Sequence, residues 1–223
     1  MPELRRRLID TARRMESRGL SAGTSGNLSV RAECDGRRGY LITPTGMRYT
    51  DLSPGDVVFM PLPDDAPAPS PVDAPQNARA PSSEWRFHHD IYAHRPEAGA
   101  VLHAHSPFAV SLACLRRDIP PFHYMIARFG GDSVRCARYA TFGTQALSDA
   151  ALLALEGRNA CLLANHGQIV FGRDLEHAFD LGVELETLCE QYWRACQVGE
   201  PILLGAEEMR TVLEKFGAYG QPA

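Results

Sequence analysis

Val101-Leu102-His103-Ala104-His105 closes an apolar run with two histidines one residue apart. In a β-strand those two side chains project from the same face, because strand side chains alternate with a period of two. Two imidazoles side by side at a strand end suit a pair of metal ligands. A third histidine ends the run Cys161-Leu162-Leu163-Ala164-Asn165-His166-Gly167, and a glutamate, Glu84, stands in Pro81-Ser82-Ser83-Glu84-Trp85 just ahead of a helical pattern. His103, His105, His166 and Glu84 therefore form a candidate catalytic zinc site: three imidazoles and a carboxylate, with a further position for water or substrate. A His-x-His pair alone is only moderately specific, because a solitary histidine is more often packed or on the surface than ligating. Four such groups at the ends of separate elements favour the metal.

Outward from this stretch the pattern alternates between helix and strand. Ser106-Pro107 can start a helix, with serine as its cap and proline in its first turn. Residues 83–94 carry helical apolar spacing and lead into the His-x-His strand. Residues 144–156 read as helix, 160–164 and 169–171 as strands, 174–197 as a long helix and 207–216 as a last one. At the other end, Leu4, Leu8, Ala12 and Met15 recur at helical spacing and Gly19 supplies a stop, which predicts a helix over 3–18. Residues 28–30, 40–42 and 57–60 then read as short strands of an antiparallel meander. The expected fold class is an α/β, single-domain sandwich over 1–223, with a central mixed, largely antiparallel sheet flanked by helices. Residues 61–81, rich in proline, alanine and aspartate, read as an exposed, mobile loop insertion.

Composition narrows the functional classes. A chain of 223 residues with 44% hydrophobic content can bury one substantial core. No run of eighteen apolar residues suggests a membrane span, and the basic start at Arg5-Arg6-Arg7 lacks the apolar segment of a secretory signal, so a cytoplasmic protein is expected. A net charge of −4 without a long basic run gives no footprint for nucleic acid. Arg5, Arg6, Arg7, Arg13 and Arg14 read as the solvated face of the first helix. The six cysteines contain no Cys-x-x-Cys pair, which argues against a thiolate zinc knuckle and predicts that most are reduced and buried.

Gly23-Thr24-Ser25-Gly26-Asn27-Leu28-Ser29 joins flexible glycines to hydroxyl and amide donors and can present several N–H groups to an anion. It has neither the lysine of a P-loop nor a dinucleotide-binding spacing. Thr43-Pro44-Thr45-Gly46 offers a second such turn, and Ser82-Ser83 adds hydroxyls beside Glu84. Each alone is ordinary loop chemistry. Together they can cradle a phosphate without a large positive patch.

These stretches, with His103-Ala104-His105, His123-Tyr124-Met125-Ile126-Ala127, Tyr139-Ala140-Thr141-Phe142-Gly143-Thr144, Asn165-His166-Gly167 and Glu214-Lys215-Phe216, resemble over nearly the whole chain the class II aldolase/adducin superfamily, and within it the enzymes that cleave L-fuculose 1-phosphate. The resemblance implies one Zn²⁺ per subunit on His103, His105 and His166, with Glu84 beside the metal as acid/base. It implies a phosphate held by Gly26, Asn27, Thr45, Gly46, Ser82 and Ser83. Tyr124 would supply a phenolic proton from a neighbouring subunit, Phe142 would help form the aldehyde pocket, and Tyr219 would act near the C-terminus. The assembly implied is a cyclic homotetramer with sites between subunits. The implied reaction is reversible cleavage of a ketose 1-phosphate, L-fuculose 1-phosphate or a related deoxy-sugar phosphate, to dihydroxyacetone phosphate and an aldehyde. No Schiff-base lysine is needed. Two departures bear on the sugar: the proline-rich insertion, and Asn165 where histidine is common. A sugar-acid phosphate decarboxylase and a 5-deoxypentulose-phosphate aldolase share the scaffold. The related 4-epimerases have aspartate in place of Glu84 and an acidic residue near 124–127, which this chain lacks. An adducin-like interaction protein without catalysis is the alternative from a different class, and retention of all four metal-site residues weighs against it.

Overall fold

The computed structural model describes residues 1–62 and 79–217. Most of the proline-rich insertion and Tyr219 lie outside the described residues. Along the chain run α1 (Pro2–Ser17), β1 (Asn27–Cys34), β2 (Arg37–Ile42), β3 (Val58–Pro61), α2 (Trp85–His94), β4 (Ala100–Ala104), α3 (Pro107–Cys114), β5 (Arg135–Ala137), α4 (Gln145–Ala154), β6 (Ala160–Leu163), β7 (Gly167–Gly172), α5 (Leu175–Val198) and α6 (Ala206–Gly217). The strands form one sheet in the order β3-β2-β1-β4-β7-β6-β5. Every pairing is antiparallel except β5 with β6. This is the mixed, largely antiparallel sheet that the pattern of turns and apolar runs predicts.

Strand alternation sorts the core into two layers. Leu28, Val30, Leu102, Ala104, Leu162 and Val170 face a cluster completed by Leu8, Ala12 and Met15 of α1 and Leu181, Leu185 and Leu188 of α5. Ile42, Val101, Cys161, Leu163, Ile169 and Phe171 face the opposite cluster, with Phe87, Ile91 and Tyr92 of α2 and Leu147 and Ala151 of α4. His103 follows Val101 by two residues and so belongs to the α2 face. Asn27 and Ser29 take the same face of β1, opposite Leu28 and Val30.

Several expectations are corrected by longer-range contacts. Ser106 does precede α3, but its side chain makes no cap bond to that helix. Glu186 of α5 caps it instead, accepting from the N–H groups of Phe108 at 2.8 Å and Ala109 at 2.9 Å, while Ser106 Oγ donates to the same carboxylate at 2.6 Å. The α1 arginines lie on a face that is exposed or half-buried, as expected, but several are also tethered: Arg5 donates to the carbonyls of Pro54 and Val57, Arg13 to Tyr49 and Leu52, and Arg14 pairs with Glu176. Of the cysteines, Cys161 and Cys189 are buried, whereas Cys114 and Cys196 are exposed and Cys34 and Cys136 lie between. Strand β5 and the 3₁₀ segment Tyr124–Phe129 were not anticipated, since Arg135-Cys136-Ala137 is too short to show alternation. Among the described residues no helix is long and apolar enough to cross a membrane.

Gly99 leads into β4 where the chain passes against the β7–α5 junction: a Cβ there would lie 1.9 Å from the Arg173 carbonyl oxygen. Gly99→Ala should therefore destabilise the fold by about 1–3 kcal/mol through overpacking. The urea unfolding midpoint checks this, and an unchanged midpoint would mean that the junction yields freely.

Candidate metal centre and active site

His103 ends the buried part of β4, and His105 lies two residues on, just past the strand. His166 sits in the tight turn between β6 and β7, where Asn165 takes a left-handed φ of 54°, a conformation that asparagine tolerates better than most residues. Glu84 occupies the residue before α2. It makes no side-chain cap bond to its own helix; its carboxylate turns to the histidines instead. Glu84 Oε2 is 3.2 Å from His103 Nε2, Glu84 Oε1 is 3.1 Å from His166 Nε2, and His103 Nε2 is 2.9 Å from His105 Nε2. One ligand atom from each of the four lies within 4.8 Å of every other. The structure thus brings together all four residues singled out from the sequence as a metal site.

The donor chemistry fits a cation. His103 Nδ1 is 2.9 Å from the Gln168 carbonyl oxygen, which can only accept, so Nδ1 carries the hydrogen. In the neutral ring Nε2 is then a lone pair, aimed at a carboxylate oxygen and at another imidazole nitrogen. Acceptors this close repel unless positive charge lies among them. Glu84 Oε1 is moreover buried without an aligned hydrogen bond, despite the short distance to His166. A carbonyl fixing the far nitrogen of a ligating imidazole is the usual support for a bound metal. Three imidazoles and one carboxylate suit a borderline transition ion better than calcium or magnesium.

Electrostatics agree. Burial opposes ionisation of Glu84, but the His103 and His166 imidazoles beside it outweigh burial and hold the carboxyl well below the usual carboxylate range. His105 is lowered to about 4, first by burial and then by repulsion from His103 and His166. Beneath the site, burial lowers His88 to about 3.

A cleft of about 330 Å³ opens above Glu84, His105 and His166. Its lining includes Thr24, Ser25, Gly26, Asn27, Thr45, Gly46, Ser82 and Ser83 together with Tyr139, Ala140, Phe142 and Asn165. Gly26 is required there: at φ +79° a Cβ would lie 2.5 Å from Ser21 Oγ and 2.8 Å from the His103 carbonyl. The two hydroxyl-rich segments are tied together by Ser82 N–H to Thr43 O at 3.0 Å and Thr45 N–H to Ala80 O at 3.2 Å. Among the described residues, none that lines the cleft is arginine or lysine. Asn27 is present, but its amide is engaged: Nδ2 donates to Glu84 Oε2 at 3.1 Å, and Oδ1 lies 2.5 Å from His88 Nε2.

Phe142 and Tyr139 stand at the mouth, 65% and 56% exposed. Arg116 braces that wall, donating to Asn165 Oδ1 at 2.7 Å with its guanidinium over the Tyr139 ring. Tyr124 does not line this cleft; it is 51% exposed and stacks on Phe216 of α6. Sequence reasoning quoted the segments containing Tyr139, Ala140 and Asn165 without assigning them to the cleft wall. It gave no role to Ser29, His88 or Tyr92 behind Glu84, although Glu84, His88 and Tyr92 recur at helical spacing.

The chain matches the Class II Aldolase and Adducin N-terminal domain over residues 6–193 and belongs to that family. Among its relatives is the 5-methylthioribulose-1-phosphate/5-deoxyribulose-1-phosphate aldolase of Rhodospirillum rubrum, 54% identical over 220 residues that span 99% of this chain and 94% of the relative. The L-fuculose phosphate aldolase of Escherichia coli is 43% identical over 98% of this chain and 96% of its own length. A solved structure of L-fuculose 1-phosphate aldolase superposes with a TM-score of 0.86 at 37% identity, covering 97% of each chain. The protein is a class II aldolase, an aldehyde-lyase, rather than an interaction module without catalysis.

The low value of His88 gives a pH dependence with a definite sign. Its folded value of about 3 lies below its ordinary 6.5, so the unfolded chain takes up a proton that the folded chain refuses. Stability is lost as pH falls below 6.5, by about 1.4 kcal/mol per unit, until the folded value is reached. In metal-free protein, urea unfolding from pH 7.5 to 5 should show this loss, and His88→Gln should lessen the slope by about one proton. Identical slopes would contradict the assignment.

Proposed function

We propose that the protein is a zinc-dependent aldolase that reversibly splits 5-methylthioribulose 1-phosphate or 5-deoxyribulose 1-phosphate into dihydroxyacetone phosphate and a short aldehyde. The observation that carries the substrate is the apolar part of the cleft lining. Tyr139, Ala140 and Phe142 line the same cleft as Glu84, His105 and His166. An aldehyde fragment ending in a methyl or methylthio group suits such a wall, and the 54% identical relative is named for these substrates. L-Fuculose 1-phosphate is the second reading, supported by the 43% identical relative; its aldehyde adds a hydroxyl beside the methyl group.

The phosphate would lie among Gly26, Thr45, Gly46, Ser82 and Ser83, taking backbone N–H groups and hydroxyls in place of cationic side chains. Asn27 would contribute to that end of the cleft and support Glu84. His103, His105 and His166, with Glu84 beside them, would hold the zinc ion, which when bound supplies Lewis-acid polarisation of the substrate carbonyl. In the condensation direction the Glu84 carboxylate takes a proton from C3 of dihydroxyacetone phosphate. C3 then bonds to the aldehyde carbon as the carbonyl π pair moves to the aldehyde oxygen, which receives the Tyr124 phenolic proton. Tyr124 would reach the cleft from the adjacent subunit of a cyclic homotetramer. Its distance from its own chain's cleft lining and its exposure support that placement.

A coupled assay for dihydroxyacetone phosphate on zinc-loaded protein should give turnover with both ribulose derivatives, a higher KM for L-fuculose 1-phosphate, and loss of all three activities with a chelator. Carbon dioxide release from a sugar-acid phosphate, without aldol cleavage, would replace this reading with a decarboxylase.

Glu84→Gln and Tyr124→Phe should each lower kcat by about 100-fold or more, the usual scale of general acid–base catalysis, with zinc content maintained. Tetramers reassembled from equal amounts of the two variants should regain about a quarter of wild-type activity, since that share of sites combines an intact Glu84 with an intact Tyr124 from the neighbour. Absence of any recovery would place Tyr124 in its own subunit's site or outside catalysis.

A further inference from the structure

Behind Glu84, a buried single file starts at Asn27, which also lines the cleft, and runs on through His88, Ser29 and Tyr92. Glu84, His88 and Tyr92 fall at i, i+4 and i+8, on one side of the α2 segment. Asn27 and Ser29 come from the face of β1 that α2 covers. The contacts run Glu84 Oε2 to Asn27 Nδ2 at 3.1 Å, Asn27 Oδ1 to His88 Nε2 at 2.5 Å, His88 Nδ1 to Ser29 Oγ at 2.7 Å, and Ser29 Oγ to Tyr92 Oη at 2.9 Å.

Hydrogen-bond logic gives this file a direction. An ionised Glu84 can only accept, so Asn27 must present its NH₂ to it and its carbonyl oxygen to His88. That oxygen requires a hydrogen on His88 Nε2. The Nδ1 atom of the neutral ring is then a lone pair, so Ser29 donates to it and in turn accepts from Tyr92. Every link donates toward Glu84. Turning the Asn27 amide over would set its oxygen against the carboxylate and its NH₂ against His88 Nε2–H, two repulsive contacts at once. The amide relays no proton at neutral pH, so the file holds the carboxylate and does not feed it.

We propose that His88 is a positioning residue for the aldol reaction: held as the Nε2–H tautomer by Ser29 and Tyr92, it locks the Asn27 amide so that its NH₂ grips Glu84 Oε2 and keeps the carboxylate aimed at the proton of the reacting carbon. This rests on Glu84 as the proton-exchanging base. The role requires a donor at the position of His88 Nε2, not an imidazole as such. Glutamine, whose amide nitrogen can occupy that position, should therefore substitute where leucine cannot.

The test uses full-length, zinc-loaded protein and two readouts: kcat and KM for cleavage, and exchange of the C3 hydrogen of dihydroxyacetone phosphate with D₂O in the absence of aldehyde. His88→Leu should lower kcat and the exchange rate together by about 10–100-fold, the usual effect of removing a supporting hydrogen bond, with KM and zinc content within about threefold of wild type. His88→Gln should restore most of both. ¹⁵N spectra of the wild-type metal-free protein should show His88 neutral with its hydrogen on Nε2, and this readout does not depend on the role of Glu84. Wild-type exchange in His88→Leu, equal losses in the leucine and glutamine variants, or an Nδ1–H tautomer would overturn the proposal. Should His88→Leu fail to fold, Ser29→Ala takes its place and should slow exchange while leaving KM unchanged; unaltered exchange there would also overturn it. Glu84→Gln is the separate control: normal exchange in that variant removes the base and the proposal with it, whereas lost exchange in Glu84→Gln beside normal exchange in His88→Leu removes the proposal alone.

Discussion

The register of β4 between β1 and β7 is the constraint on which the active site depends. His103 lies opposite Asn27 on one side and Ile169 on the other. Neighbouring Gln168 supplies the carbonyl that fixes the His103 tautomer. A slip of one residue would carry His103 to the face packed by α1 and α5 and put Leu102 beneath Glu84. The apolar alternation that builds two core layers is therefore also what orients the imidazole. Gly167 adds to the precision, because a Cβ there would lie 2.4 Å from the Ala104 carbonyl oxygen. The turn bearing His166 can close on β4 only with glycine at that position.

Given that frame, charge is distributed economically. Three imidazoles surround one carboxylate at the cleft, whose lining also carries hydroxyls and glycine turns. A phosphate bound by oriented N–H groups needs no ammonium or guanidinium nearby. This avoids placing a second strong cation next to the cluster, where it would compete with a metal for Glu84. Arginines are used as struts instead. Arg86 ties the start of α2 to the Gly143 carbonyl at 2.7 Å, and Arg116 braces Asn165. Both hold the outer wall of the cleft and leave its floor to the metal-site residues.

What could be read from the sequence follows from the range of the interactions. His103 and His105 are legible because strand periodicity alone puts them on one face. His166 and Glu84 are legible as chemistry-bearing residues at element ends, where apolar runs stop. Antiparallel pairing is legible where short turns join consecutive strands, β1 to β2 and β6 to β7. The capping of α3 was misjudged because the real cap, Glu186, is 80 residues beyond Ser106 and arrives only when α5 packs. The tethers of Arg5 and Arg13 were not legible for the same reason: their acceptors are backbone carbonyls of the β2–β3 connection, which no local pattern predicts. The buried file behind Glu84 needed both a helix and a strand in place before its members could be seen as neighbours.

That file also bears on why an enzyme should bury so many polar groups under its base. Each of Asn27, Ser29, His88 and Tyr92 loses water on folding, and satisfied hydrogen bonds return only about 1 kcal/mol apiece. An apolar filling of the same volume would serve stability as well or better. What apolar packing cannot supply is a donor of fixed direction at Glu84 Oε2. A carboxylate facing three imidazoles can rotate either oxygen inward. With Asn27 engaged on one oxygen, the other faces His166. The two oxygens are thereby made unlike, and a directional set of hydrogen bonds reaching back to Tyr92 is a way for a helix and a rigid sheet to impose that asymmetry.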